Sequence, residues 1–278
     1  MIPDNPWEDG ENARRYAGFT RKHSLYRQSS QDLVRLAHPA PDASVVDLAC
    51  GTGATTEAVL AVLGADGRVL AVDSAQAMLT EARSQVRDDR VRWLRARAEH
   101  LDRYGTGAVD VVVCNSAIWQ TDVSATVAAV RRVLRAGGRF VFNVGAQLLA
   151  DHADPGRPGD PLIELMETIA ARDHGWAAPP VASGRHEQGE LSESGLRREL
   201  VNNGFRVRQV CGLQYWHSLE DRRAWLSIPI FTLRRFAALP YRHRMAILDE
   251  AYCRLTANGS HREPLNVPWI AIIADVYT

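Results

Sequence analysis

The sequence predicts an α/β fold: a doubly wound, mostly parallel sheet of seven strands with helices on both faces. Between about residues 43 and 145, short runs rich in β-branched residues alternate with segments of helical periodicity. The run VDVVVCN at 109–115 is apolar along almost its whole length, as expected of a strand covered on both faces. With 278 residues, 46% of them hydrophobic, the chain is long enough to bury a full core.

Seven runs read as strands, and helical patterns separate most of them. The predicted strands are 44–49, 68–73, 91–96, 109–115, 138–145, 206–216 and 267–278. Ser74 is a plausible cap for the helix after the second strand, and Ser192 is a natural cap for the helix before the sixth. These elements predict a core with helical insertions.

The order of these patterns suggests how the chain is divided. We predict an N-terminal helical lid over 1–42, a core over 43–145, a cap insertion over 146–190, more core over 191–218, a helical cap insertion over 219–266 and a final strand over 267–278. The first insertion is rich in proline and glycine around one short helix.

Charge and cysteine usage exclude several classes of protein. Thirty-three basic and 33 acidic residues give a formal net charge of zero, which disfavours nucleic acid and anionic membranes as partners. The four cysteines form no CxxC pair, which suits a reducing compartment and argues against structural zinc. No stretch approaches about 18 apolar residues, and acids stand where a signal peptide would be apolar. We therefore expect a cytoplasmic protein.

The turn after the first strand predicts a nucleoside ligand. Gly51 and Gly53 lie between that strand and a helix, where free N–H groups can meet a polar ligand. Asp73 ends the next strand, where a carboxylate can accept hydrogen bonds from both hydroxyls of a ribose. A dinucleotide fingerprint would need Gly or Ala where Thr56 stands. A nicotinamide-dependent reductase therefore stays open as a less favoured alternative.

Three segments resemble a known family. VVDLACGTGATT (45–56), VLAVDSAQAML (69–79) and RAGGRF (135–140) are similar, in order and spacing, to motifs of class I S-adenosylmethionine-dependent methyltransferases of the small-molecule type. The resemblance implies a Rossmann-like methyltransferase fold with a reversed seventh strand. It also implies S-adenosylmethionine as the cofactor.

The resemblance assigns cofactor-binding roles position by position. Around the methionine part it places Asp47, Ala49, Gly51 and Gly53; at the ribose Asp73, with Ser74 beside it; near the adenine Met78, Ala98 and Glu99; and near the methyl group Asn115, Ser116 and Ala117. Arg97 stands where the family often has an acid. The stretch 14–28 resembles a leading helix that covers the cofactor, so Tyr16 and Tyr26 are candidate lid residues.

The acceptor side of the site rests on weaker signals. Trp119 and Gln120 follow the fourth strand, where acceptors usually bind, although core packing explains Trp119 about as well. The aromatic residues proposed for an apolar pocket under the cap include Trp176, Tyr215, Trp216 and Trp225, with simple packing onto the sheet as the alternative. His152 follows the fifth strand, where a general base could face the methyl group, or it is a surface histidine. Asp122 is the only acid near the end of the fourth strand, so we predict no metal.

Taken together, these features predict methyl transfer from S-adenosylmethionine to oxygen or nitrogen of a small organic molecule, most simply a specialised metabolite. The alternative is a protein that binds S-adenosylmethionine as a non-methylating catalyst or a regulator, because fold does not fix function. We expect a small-molecule acceptor as partner, no nucleic acid, no membrane, and a possible homodimer.

Overall fold

A seven-stranded sheet runs through the computed structural model, which describes residues 5–152, 159–177, 191–233, 235–257, 259 and 264–277. The strands are β1 Ser44–Leu48, β2 Arg68–Asp73, β3 Val91–Arg95, β4 Val109–Asn115, β5 Leu134–Gly145, β6 Phe205–His217 and β7 Leu265–Val276. Their order is β3-β2-β1-β4-β5-β7-β6, and β7 runs antiparallel to both β5 and β6. The predicted fold, with its reversed seventh strand, is confirmed.

Ten helices surround this sheet in the described part of the chain. They are α1 Gly10–Lys22, α2 Ser24–Ala37, α3 Ala54–Leu60, α4 Gln76–Gln85, α5 Val123–Val133, α6 Pro161–His174, α7 Glu193–Asn202, α8 Leu219–Leu226, α9 Pro229–Leu233 and α10 Tyr241–Ala257. On one face of the sheet, Leu33 and Val59 of α2 and α3 are buried against the strands. On the other face, Val130 and Leu200 of α5 and α7 are buried. None of these helices is long and apolar enough to cross a bilayer.

The order of the strands decides where ligands can bind. From β1 the chain first moves outward to β2 and β3, then returns so that β4 pairs with the other edge of β1. The loops that leave β1 and β4 therefore diverge to opposite faces. A crevice opens at the carboxyl ends of these strands, which is the usual ligand position in open α/β sheets.

Two local predictions are corrected by the structure. The leading helix predicted over 14–28 is interrupted at His23, whose extended backbone (φ −111°, ψ 143°) ends α1 and starts α2. Ser74 does not cap α4, because Ala75 occupies the cap position and the Asp73 side chain accepts the Ala75 N–H instead. The cap predicted at Ser192 is confirmed, since its hydroxyl accepts the N–H of Gly195.

Helices α6, α8 and α10 share an apolar cluster separate from the sheet. Phe236 and Leu162 are fully buried in it, and Trp176 lies against Phe236 with 5.1 Å between ring centroids. Part of the predicted first insertion, at 153–158 and 178–190, lies outside the described residues.

Candidate functional site

A cavity of about 1460 Å³ lies at the carboxyl ends of β1, β2 and β4. Pockets for one small molecule usually measure about 300–1,000 Å³. The cavity therefore has room for two ligands side by side.

The turn after β1 forms one wall of this cavity through its backbone. Ala49, Gly51 and Gly53 all have left-handed backbone angles, with φ of 56°, 53° and 91°. The positive φ of Gly53 favours glycine, and a Cβ there would also crowd Val86 at 3.3 Å and Trp93 at 3.4 Å.

Asp73 stands beside that turn with both carboxylate oxygens already oriented. One oxygen accepts the Gly51 N–H at 2.8 Å and the other accepts the Ala75 N–H at 2.9 Å. Burial raises the pKa of Asp73, while the backbone N–H donors oppose that rise. A carboxylate has about four lone-pair sites, so each oxygen can still accept a hydroxyl hydrogen from the cavity. This is the geometry that a vicinal diol requires.

Asp47 lies behind the turn and does not line the cavity. It is 1% exposed, and Thr56 donates to its Oδ2 at 2.6 Å, while its Oδ1 has no hydrogen-bond partner. Burial raises the pKa of Asp47 to about 7. Thr56, which departs from the dinucleotide fingerprint, is therefore used to hold this carboxyl group.

The end of β4 supplies a network of amide and hydroxyl groups. Asn115 Nδ2 lies 2.9 Å from Ser30 Oγ and 3.2 Å from Thr55 Oγ1. The next residue, Ser116, has φ 57° and donates its N–H to Asn143 Oδ1 at 2.7 Å. Asn143 is fully buried opposite Asn115 on β5, and sequence reasoning missed it. An asparagine in the otherwise apolar run of β5 was the available signal.

Another side of the cavity is built from α4, the end of β3 and the segments that follow β3 and β4. Met78, Ala98 and Glu99 line the cavity there. Burial would raise the pKa of Glu99, but the Asp122 N–H and the Arg97 guanidinium donate to its carboxylate and lower the pKa overall. The basic residue at 97 is thus neutralised by its neighbour.

A short N-terminal segment, residues 5–8, crosses the cavity and is called the strap here. Trp7 Nε1 donates to Gln120 Oε1 at 2.9 Å on one side. On the other side, Glu8 accepts from Arg95 at 2.6 Å and from the Gln76 N–H at 3.0 Å. Sequence reasoning missed the strap, for which the only signal was a tryptophan among polar residues.

Aromatic rings complete the wall where the strap meets α1 and α9. Trp7 lies edge-on to Tyr16 and Phe231, with ring centroids 5.3 and 5.8 Å apart. Behind them, Trp225 stacks on Phe231 at 3.7 Å, and Tyr26 lies 5.1 Å from Tyr16.

The cavity brings together most of the predicted positions. Its lining includes Tyr16, Ala49, Gly51, Asp73, Ser74, Met78, Ala98, Glu99, Asn115, Ser116, Ala117, Trp119 and Gln120. Trp119 anchors its indole N–H on the Ser116 carbonyl at 2.9 Å. Asp47, Gly53, Tyr26 and Trp225 are not in the lining, although Asp47 and Gly53 support the turn, and Tyr26 and Trp225 support the rings.

Four other candidates lie away from the lining. His152 Nε2 is 2.8 Å from Glu193 in a part-buried pair, and neither residue is in the lining. Trp176 packs in the cluster of α6 and α10, and Tyr215 donates to Asp32 at 3.1 Å. Trp216 is 58% exposed beside a separate shallow depression. These positions were inferred from chain order, which does not show which way a side chain points. In the described residues, no three His, Cys, Asp or Glu side chains gather as a metal site.

This combination of strand order, glycine turn and acid at the tip of β2 defines a class I methyltransferase fold. Residues 45–138 match the family model described as "Methyltransferase domain", which confirms the predicted family resemblance over that segment. S-adenosylmethionine is the cofactor of that class, in agreement with the sequence prediction. No curated protein sequence matches the chain significantly.

Solved structures share the fold across nearly the whole chain. The YcgJ protein of Bacillus subtilis is 20% identical, with 90% of this chain and 99% of that one covered and a TM-score of 0.54. Geranyl diphosphate C-methyltransferase of Streptomyces coelicolor A3(2) is 19% identical, with coverage of 91% and 80% and a TM-score of 0.54. A phosphoethanolamine N-methyltransferase of Haemonchus contortus is 14% identical, with coverage of 90% and 53% and a TM-score of 0.52.

Proposed function

We propose that this protein transfers the methyl group of S-adenosylmethionine to a nitrogen or oxygen atom of a small organic acceptor. The observation that carries the proposal is Asp73, which directs two anchored carboxylate oxygens into a cavity large enough for a cofactor and an acceptor. A specialised metabolite as acceptor, a cytoplasmic location and a homodimer remain predictions from the sequence.

The donor set fits the cofactor. Asp73 would hold the ribose hydroxyls, the backbone at Ala49 and Gly51 would meet the methionine part, and Met78 and Ala98 would contact the adenine. When bound, the cofactor supplies a methyl carbon that is already electrophilic because it is attached to a positive sulfur.

The chain's own contribution is therefore alignment and exclusion of water. Trp7, Tyr16 and Phe231 form an aromatic wall of the cavity, and Asn115 lies in its lining at the end of β4. Holding two reactants in line contributes up to about 7–11 kcal/mol to lowering a barrier in favourable cases.

The related structures leave the accepting atom open. The Streptomyces coelicolor enzyme is a C-methyltransferase in complex with Mg²⁺ and geranyl diphosphate, and the Haemonchus contortus enzyme is an N-methyltransferase in complex with phosphomonomethylethanolamine. Both act on small molecules, which supports a small-molecule acceptor here.

Calorimetric titration with S-adenosylmethionine, S-adenosylhomocysteine and NADH tests the proposal. We expect the first two to bind and NADH not to bind. Replacement of Asp73 by alanine should weaken binding about 100-fold, since two hydrogen bonds to a charged group contribute about 3 kcal/mol together. Asp66→Ala is the matched control, because Asp66 is exposed and has no part in the cavity.

Two outcomes would count against the proposal. Binding of NADH in place of S-adenosylmethionine would favour the reductase. A protein that binds S-adenosylmethionine but methylates nothing in an acceptor screen would favour the non-methylating alternative. Because Asp73 also accepts two backbone N–H groups, thermal melting of Asp73→Ala must show that the variant is folded.

A further inference from the structure

One wall of the cavity is made of aromatic rings from three segments. Trp7 belongs to the strap, Tyr16 to α1 and Phe231 to α9. The Tyr16 ring lies against the glycine turn, because a Cβ on Gly51 would be 3.9 Å from its Cε1. Trp7 also packs against Met78 and donates to Gln120, so the wall extends from the predicted cofactor positions to the predicted acceptor positions.

This wall carries no free charge. Glu8 is paired with Arg95, and Asp73 accepts the N–H groups of Gly51 and Ala75. Arg198 and Glu199, which also line the cavity and form no ion pair among the described residues, are adjacent on α7, which packs against α5 and β6. A carboxylate or phosphate placed against the rings would lose its hydration without gaining a cation. An uncharged ring would gain offset or edge-to-face contacts with the wall.

The wall also offers no base. The described residues that line the cavity include no histidine, lysine or cysteine. Of its acids, Glu8, Asp73, Glu99 and Asp122 each already accept a hydrogen bond from an N–H group. Burial, together with the neighbouring Tyr26, holds the pKa of the Tyr16 hydroxyl well above its usual value, so Tyr16 donates a hydrogen bond and does not accept a proton. An alcohol or phenol would have to pass its proton to a carboxylate that is already hydrogen-bonded. A neutral nitrogen already has a lone pair to attack with.

Resting on the proposed function, we propose that the acceptor is an uncharged aromatic compound methylated at nitrogen, and that Trp7 is a specificity-determining residue for it. The nitrogen lone pair forms the new N–C bond while the C–S bond breaks. The electron pair of the C–S bond goes to sulfur, giving the neutral thioether. The nitrogen becomes cationic and, if it carried hydrogen, releases a proton to water.

Three naphthalene probes with one ring system test this: 1-naphthylamine, 1-naphthol and 1-naphthoate. Each is titrated into the protein saturated with S-adenosylhomocysteine, so binding is measured without turnover. We expect the amine, which is uncharged at pH 7, to bind at least about tenfold more tightly than the anionic naphthoate. With S-adenosylmethionine, mass spectrometry should find methylated amine and no methylated naphthol.

Variants of the strap separate specificity from folding. Trp7→Ala should weaken 1-naphthylamine binding about fivefold or more, and Trp7→Phe should restore most of it because a ring returns. Trp216→Ala is the matched control, since that indole is exposed and remote from the lining.

Three results would overturn the proposal. They are naphthoate binding as tightly as the amine, methylation of 1-naphthol, or unchanged amine binding in Trp7→Ala. Failure of S-adenosylhomocysteine to bind would instead refute the proposed function itself, and this inference with it.

Discussion

The two halves of the cavity are encoded in different ways. The sheet half, at the ends of β1, β2 and β4, comes from residues that lie next to strand ends within 45–138. The ring half joins segments from opposite ends of the chain: Asn12 Oδ1 accepts the N–H of Ile230, 218 residues away. Local pattern therefore specifies where the cofactor binds, while long-range packing specifies what faces the acceptor.

The halves also differ in how they bury titratable groups. Asp47 supports the sheet half and has Thr56 as a hydrogen-bond donor. His217 lies behind the ring half, 3% exposed beside Phe19, and neither ring nitrogen has a hydrogen-bond partner. The protonation of Asp47 therefore depends on burial in the sheet half of the cavity, and that of His217 on burial behind the ring half.

The largest expected effect is on the free energy of unfolding, from a variant in the apolar cluster shared by α6, α8 and α10. This cluster lies behind the ring half and apart from the sheet. Phe236→Ala should lower the free energy of unfolding by about 3–5 kcal/mol, because it leaves a cavity at a fully buried ring. If the sheet half is independent, the affinity for S-adenosylmethionine should stay within about twofold at temperatures where the variant is folded. Urea unfolding and calorimetry measure the two quantities.

Val62→Ala provides the control for that variant, since Val62 is 48% exposed and should change stability by less than about 0.5 kcal/mol. Loss of cofactor binding in folded Phe236→Ala would show that the two halves act as one unit, and the comparison would fail.

This division also explains what the sequence could and could not predict. The strands from β1 to β4, the Ser192 cap and the role of Asp73 as a polar group at a strand tip follow from periodicity and turn chemistry over a few residues. The ends of α1 and α4 did not follow, because an extended His23 and the Asp73–Ala75 hydrogen bond override local propensity.

The missed residues share a physical reason. Trp7 gains its role only through Gln120, which is 113 residues away, and Asn143 only through Ser116 on the neighbouring strand. Conversely, His152 and Trp216 looked well placed along the chain, but their side chains point elsewhere. A sequence pattern predicts a helix or strand and which of its faces is buried, whereas contacts between distant elements are seen only in the packed structure.

Asp47, which supports the sheet half, should contribute to the pH dependence of stability. Burial raises its pKa to about 7 in the folded protein, so between about pH 4 and 7 the folded state binds more protons than the unfolded state. Stability should therefore fall as pH rises through this window, by up to about 1.4 kcal/mol per pH unit from this group. Asp47→Asn should remove that slope in urea unfolding at a series of pH values.

Asp66→Asn is the control for Asp47→Asn, because an exposed carboxyl group should leave the slope unchanged. An identical pH slope in Asp47→Asn and wild type would show that Asp47 titrates normally and is paired in solution.

His217 should give the opposite sign on the ring half. Burial lowers its pKa to about 4, helped by the nearby Arg222, so between about pH 6.5 and 4 the unfolded state binds the additional proton. Stability should fall as pH falls through this window, and the effect is smaller than for Asp47 because the shift is smaller. His217→Phe should reduce this loss of stability at acid pH while keeping a ring beside Phe19.

His243→Gln is the matched control, since it also removes one histidine but lies on α10, away from Phe19. If the loss of stability at acid pH is reduced equally in both variants, it comes from the total positive charge of the protein and not from burial of His217.

The smallest expected effect concerns the single hydrogen bond that ties the strap to the far side of the cavity. Gln120→Ala removes the acceptor of the Trp7 indole N–H, whose net contribution is about 1 kcal/mol. S-adenosylmethionine should then dissociate about fivefold faster, measured by stopped-flow tryptophan fluorescence, while the free energy of unfolding falls by no more than about 1 kcal/mol. Gln120→Glu, which keeps an acceptor oxygen, should release the cofactor at nearly the wild-type rate. An unchanged rate in Gln120→Ala would mean that the strap follows the cofactor without retaining it. A faster rate would show that the strap, although distant in sequence from the motifs around Asp73, limits how long the cofactor they bind is kept.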